Sequence, residues 1–151
     1  MKNGFDYSIS LRVTHPSWSK EDIAARLKRS PRRAWTVGEP RTTPKGRLLE
    51  GHHKESYCSF DITRRVDGEV ASALLDTFEA LRAFAHDLHE LRATGGDVSL
   101  FVFWQSNGDT GERFDVDLLR AMAELGIALD LNVFDSNDAL ALEPVVPDAV
   151  H

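Results

Sequence analysis

The run DVSLFVFWQ, residues 97–105, constrains this chain more than any other stretch. Successive side chains of a strand point to opposite faces. Here Val98, Leu100, Val102 and Trp104 fall on one face, and Phe101 and Phe103 on the other. A strand that is apolar on both sides belongs inside a sheet and must be covered twice. The chain therefore has to supply helices for one side and some other cover for the second.

The rest of the pattern supplies most of that architecture. Phe5, Tyr7, Ile9, Leu11 and Val13 alternate with Asp6, Ser8, Ser10 and Arg12, the mark of a strand with one wet face. Ser19 and Asp22 have capping-box spacing, and Trp18 with Ile23 has the hydrophobic-staple spacing. A first helix follows and is expected to end near Arg29, since Pro31 disfavours helical geometry at Ser30. Cys58, Phe60 and Ile62 alternate as a second strand. Asp67 can cap a long helix from about Glu69 to Ala93, with Leu74, Phe78, Leu81, Ala85 and Leu88 as its stripe, stopped by Gly95 or Gly96. After the third strand, Asp115 caps another helix with Leu118, Met122 and Leu125 buried, and Phe114 and Leu119 at staple spacing. Gly126 ends it, and Ile127, Leu129, Leu131 and Val133 form a last strand.

The expected fold is α+β: a four-stranded, largely antiparallel sheet with helices on one face. Two strand–helix–strand units flank a connecting helix, as in a ferredoxin-like variant. Residues 1–135 make one domain, and Pro144 and Pro147 leave 136–151 as an irregular tail.

Between the first helix and the second strand lies AWTVGEPRTTPKGRLLEGHHKESYCSF, residues 34–60, with little periodicity. It is the expected cover for the second face of the sheet; a partner subunit joined there as a homodimer is the alternative. Net charge is −6, yet residues 26–47 hold eight basic side chains against Glu39 alone. That segment carries about +7 and the remainder about −13. An acidic protein with one basic island suits a small anion or an acidic protein surface rather than a nucleic-acid backbone. No run reaches the length of a membrane span. MKNGFDYSIS lacks the pattern of a secretory signal, and the single Cys58 allows no internal disulfide, so the cytoplasm is the expected compartment.

Catalytic signatures are missing: there is no phosphate-binding Gly-rich loop, no G-x-S-x-G and no H-E-x-x-H. Cys58 alternates with core residues, where a thiol stays protonated. His86 and His89 share one side of the long helix without a third ligand, and the adjacent His52 and His53 would point opposite ways in extended chain, so neither pair suggests a metal or other cofactor. Trp35 is either an anchor for the turn-rich segment or a groove wall with Arg33, Arg41 or Lys45 supplying cationic donors. Tyr57 faces away from Cys58 and Phe60 and can line the surface beneath, and His53 can line the same pocket. Glu39 beside Arg41 should keep a low pKa.

The stretches EDIAARL, RRAWTVGEPR, LRAFAHDLHELRATGGDVSLFVFW and DVDLLRAMAELGIALDLNVFD resemble, over residues 7–135, the bacterial family catalogued as domain of unknown function 4279. The resemblance points to Trp35, Gly38 and Glu39 as shared positions and implies no activity. Members often have Leu-Gly after the first helix, where this chain has Leu27 and Lys28, and a Trp at the start of the second strand, where it has Tyr57 and Cys58. The expectation is a non-catalytic binding or interaction domain, with its site around Arg33, Trp35, Gly38, Glu39, Arg41, Lys45, His53 and Tyr57. The alternative is a small enzyme using Glu39 and His52 or His53 as acid–base groups.

Overall fold

A computed structural model describes residues 5–67, 69–106, 108 and 110–135. In chain order the elements are β1 (Phe5–His15), α1 (Lys20–Leu27), β2 (Arg33–Trp35), β3 (Pro40–Thr42), β4 (Leu48–His52), β5 (Ser56–Asp67), α2 (Val70–Leu81), a 3-10 turn (Arg82–Phe84), α3 (Ala85–Ala93), β6 (Asp97–Ser106), α4 (Val116–Leu125) and β7 (Ala128–Asp135). Two of the expected helix starts form as read. Ser19 Oγ accepts from the Asp22 amide at 3.1 Å, and Asp115 Oδ1 accepts from the Leu118 amide at 3.0 Å. Both satisfy first-turn donors that have no partner within the helix.

The α+β class holds, but the sheet differs from the expectation. It has five strands in the order β2-β5-β1-β6-β7, and β3 with β4 forms a separate hairpin. β1 runs antiparallel to both β5 and β6, whereas β6 and β7 are adjacent and parallel. The parallel pair follows from α4, which carries the chain back along one face before β7 begins. In the first unit α1 is followed by β2, the hairpin and a reversal, so β5 returns antiparallel beside β1. The ferredoxin-like arrangement is therefore not reached, and the sheet is mixed.

One face of the sheet is dry. Ile9, Leu11 and Val13 of β1, Cys58 and Phe60 of β5, and Val98, Leu100 and Val102 of β6 are buried under the helices. The helices contribute Ile23 and Leu27, Leu74, Phe78 and Leu81, Leu88 and Leu91, and Leu118 and Leu125. Each such side chain adds about 1.5–3 kcal/mol on leaving water. The long helix keeps its expected stripe but is interrupted by the 3-10 turn. Its N-cap position falls at Glu69 and not at the expected Asp67. Asp67 closes β5, Glu69 holds the N-cap position without a side-chain bond, and Glu112 Oε1 instead accepts from the Ala71 amide at 3.0 Å. Helix α1 ends at Lys28, which adopts φ 51° and closes the last turn onto Ala24 and Ala25 carbonyls. That left-handed cap stops the helix before Pro31 comes into play.

His15, at the end of β1, is fully buried. Its Nδ1 accepts from the Ser17 and Trp18 amides at 3.0 and 2.9 Å, so the proton lies on Nε2, which donates to Thr94 Oγ1 at 2.7 Å. Burial pushes its pKa below the ordinary histidine value. A neutral imidazole thus ties the β1–α1 turn to the end of α3.

On the last strand, Ile127 is buried, but Leu131 and Val133 are 45% and 55% exposed, so β7 is covered only where it enters the sheet. The expected tail, 136–151, lies outside the described residues.

Candidate functional site

The second face of the sheet is built from the alternate residues of the same strands. Across its middle, Arg33 of β2 stands opposite Ser59 of β5, which stands opposite Arg12 of β1, which stands opposite Ser99 of β6. Arg12 therefore has a serine on either side. At one end of this row lie Trp35 and Tyr57, and at the other Phe101 and Phe103. Small residues between large ones leave a depression. With the β3–β4 hairpin as one wall, it becomes a groove of about 990 Å³. Ser8, Ser10, Arg12, Ser59, Phe101 and Phe103 contribute from the sheet, and Pro40, Thr42, Pro44 and Leu48 from the hairpin.

The hairpin is a wall and not the expected lid. Every residue of β4 is exposed, Leu48 to 71%. The aromatics of β6 are covered by neighbouring side chains instead: the Arg12 guanidinium lies 3.7 Å over Phe101, and Phe134 packs on Phe103 at 4.4 Å. The tip of the hairpin is a tight turn in which Thr43 and Arg47 bond reciprocally, with Pro44 and Gly46 between them. Pro44 at the second position and Gly46 at the fourth suit a type I turn followed by a bulge.

The hairpin base is fixed through Trp35, Thr36, Ser56 and Glu39. Trp35 is sandwiched between His53 at 4.1 Å and Tyr57 at 4.6 Å, and its indole N–H donates to the Glu55 carbonyl at 3.2 Å. Thr36 Oγ1 accepts from the Lys20 amide at the start of α1, at 3.0 Å. Ser56 Oγ accepts from the Val37 amide at 2.9 Å. Glu39 accepts from the Thr36 amide at 2.7 Å and from Lys20 Nζ at 3.0 Å. Burial pushes the Glu39 carboxyl up, but the Thr36 amide and the Lys20 ammonium pull it further down, so it stays below the usual carboxylate range.

The expected site residues separate into two groups. Arg33, Trp35, Glu39, His53 and Tyr57 line the groove. Gly38, Arg41 and Lys45 do not. Gly38 takes φ +89° in the turn from Thr36 to Glu39, a conformation that other residues reach only under strain. Lys45 sits at the exposed hairpin tip, and Arg41 donates to the Glu50 carbonyl at 3.3 Å. The partner of Glu39 is Lys20, not Arg41. Trp35 is an anchor with both ring faces occupied, so it offers the groove an edge and no stacking platform.

The basic island is dispersed as well. Arg26 pairs with Glu90 at 2.8 Å and lies over Trp18, and Arg32 pairs with Asp61 at 3.6 Å. Burial pushes the Cys58 thiol up to about 12, which leaves it inert at neutral pH. His86 is 92% exposed in its side chain, and His89 bonds the Glu124 carbonyl at 2.7 Å. His52 stands exposed on β4 opposite Pro40. Among the described residues, no cluster of three or more His, Cys, Asp or Glu side chains could hold a metal ion.

Arg12 is the groove residue that sequence reading passed over. Its Nε is buried and has no hydrogen-bond partner among the described residues. Burial lowers its pKa, partly offset by Tyr57 and Asp130, and a guanidinium so placed remains charged. It also borders a smaller hollow of about 240 Å³ that Glu55, Asp97 and Asp130 help to line. In the sequence Arg12 was one polar member of an alternating strand, with nothing local to mark it.

No helix among the described residues is long and apolar enough to cross a membrane. No curated protein and no solved structure matches the chain. A family model does match, over residues 5–136, a span that takes in both faces of the sheet, the hairpin and every helix. The chain belongs to the family described as a domain of unknown function, DUF4279.

Proposed function

We propose that this is a non-catalytic binding domain whose ligand occupies the groove between the hairpin and the open face of the sheet. One observation carries the reading: the hollow of about 990 Å³ has a floor of small hydroxyl side chains around Arg12, whose buried Nε has no partner among the described residues. Binding clefts commonly combine an apolar lining with a few placed polar groups, at volumes of roughly 300–1,000 Å³. Besides that shielded Nε, Arg12 carries two terminal amino groups, and these are the donors a groove ligand would meet.

The enzymatic alternative has less support. Glu39 is held ionised by Thr36 and Lys20, and His53 is stacked on Trp35. A general acid needs a pKa near the working pH and a free path to substrate. Glu39, held below the usual carboxylate range, does not offer the first.

The test is titration of the isotope-labelled protein with a mixed library of anionic, neutral and cationic fragments and short peptides, followed by amide NMR. Shifts that gather on Ser8, Ser59, Phe101 and the hairpin strands are expected. Shifts confined to the helix side, or none with any member, would remove the proposal.

A further inference from the structure

We infer that the groove recognises a monocarboxylate carried on an apolar or aromatic body, with Arg12 as the receptor for its head. This rests on the groove-binding reading above and gives that site a ligand class.

The geometry supplies both halves of such a ligand. Arg12 rises from the centre of the floor between Ser59 and Ser99, with nothing bulky beside it in its row. A guanidinium presents a planar fork that matches a carboxylate with two parallel bonds. Phe101 lies under Arg12 and holds its plane at 3.7 Å, which fixes the fork before any ligand arrives. Ser10 and Ser59, which line the groove, can add hydroxyl donors. Beyond the head, Pro40, Pro44 and Leu48 on the wall, with the parts of Phe101 and Phe103 that Arg12 and Phe134 leave to the groove, form an apolar track for the body. Leu48 is 71% exposed and would gain cover from such a ligand.

The charge balance favours a single negative charge. Arg12, Lys20, Arg32 and Arg33 line the groove against Asp6, Glu39 and Asp61, a balance of about +1, with Lys20 paired to Glu39 and Arg32 to Asp61, while Asp97 and Asp130 border the smaller hollow beside Arg12. A phosphate dianion would exceed that balance. A monocarboxylate needs only the fork.

Two sources share this chemistry: a free aryl or acyl acid, and a Glu or Asp side chain flanked by apolar residues in an extended peptide. Calorimetry and amide NMR with 4-phenylbutyrate, decanoate and an acetyl- and amide-capped peptide containing Phe-Glu-Leu separate them. Binding by either source alone sustains the inference and identifies which it is. The amide 4-phenylbutyramide and inorganic phosphate are expected to bind at least tenfold more weakly. Arg12→Gln should weaken the carboxylate about ten- to hundredfold, the worth of a charge-assisted bond. Ser59→Glu, which keeps Arg12 but places a competing carboxylate beside it, should do the same, and far-UV circular dichroism checks that each variant is folded.

Carboxylates that shift groove residues yet bind Arg12→Gln or Ser59→Glu as tightly as the parent would overturn the inference and leave the groove reading standing. Equal binding of the amide, or tighter binding of phosphate, would do likewise. Absence of groove shifts with every probe would remove both.

Discussion

The two faces of the sheet share the same five strands and differ in what lies between their large side chains. On the helix side, Leu11, Phe60 and Leu100 are at most 1% exposed and interlock with helix residues. On the open side the middle row alternates arginine with serine, and the hairpin stands away from it. Close packing rewards large apolar residues and tolerates no gap. A hollow needs the reverse: small side chains held by a frame that is already stable. The helix side supplies that stability, which leaves the open side free to keep small residues on its floor.

Substitutions should divide along the same line. Leu100→Ala, on the closed face, should cost about 2–5 kcal/mol in urea denaturation, because it removes buried methyl groups and leaves a cavity. A cost under 1 kcal/mol would mean that the two faces are not so different. Trp35→Ala should cost about 3 kcal/mol. It should also speed amide hydrogen exchange through the hairpin, from Gly38 to His53, while β1 and β6 keep their protection. Uniform loss of protection would show that the hairpin is part of the closed core.

The closed side has its own pH dependence. His15 is buried neutral and its folded pKa is lowered, whereas the unfolded chain takes up a proton near pH 6.5. The unfolded state therefore binds more protons below that pH. Stability is full above about pH 6.5 and falls as pH drops toward the folded value. His15→Gln should flatten this slope in urea midpoints taken between pH 7.5 and 5.

Two smaller effects complete the contrast. Lys28→Gly should stabilise by about 1 kcal/mol, since a residue with a Cβ at φ 51° adopts the left-handed region at a cost that glycine avoids. Ser10→Ala, on the open floor, should change stability by about 0.5 kcal/mol or less.

Much of the closed face was legible in the sequence. The period-two runs of β1, β5, β6 and β7 and the caps at Ser19, Asp115 and Gly126 are local signals, and local signals survive folding. Strand direction is not local: alternation in Ile127, Leu129, Leu131 and Val133 reads the same whether the strand runs parallel or antiparallel. The exposure of Leu131 and Val133 was equally hidden, because it depends on how far α4 reaches along the strand.

The site was legible in outline only. Trp35, His53 and Tyr57 were singled out, but their mutual stacking joins three separate positions that no spacing rule connects. Strands of three residues, such as β2 and β3, are too short to show a period. The Thr43-Pro44-Lys45-Gly46 turn did carry a hairpin signature, and reading it between flanking extended residues would have found β3 and β4. A count of charge along the chain could not show that Arg26 and Arg32 find acidic partners on α3 and β5.

The floor around Arg12 has one further consequence. Its depth is set in part by two hydroxymethyl groups, at Ser10 and Ser59. Enlarging either to threonine, valine or leucine would raise the floor by steps of one or two carbons while every backbone bond stayed in place. A lineage built on this frame can therefore change the girth of the hollow by altering two codons, with the scaffold beneath unaware of the difference.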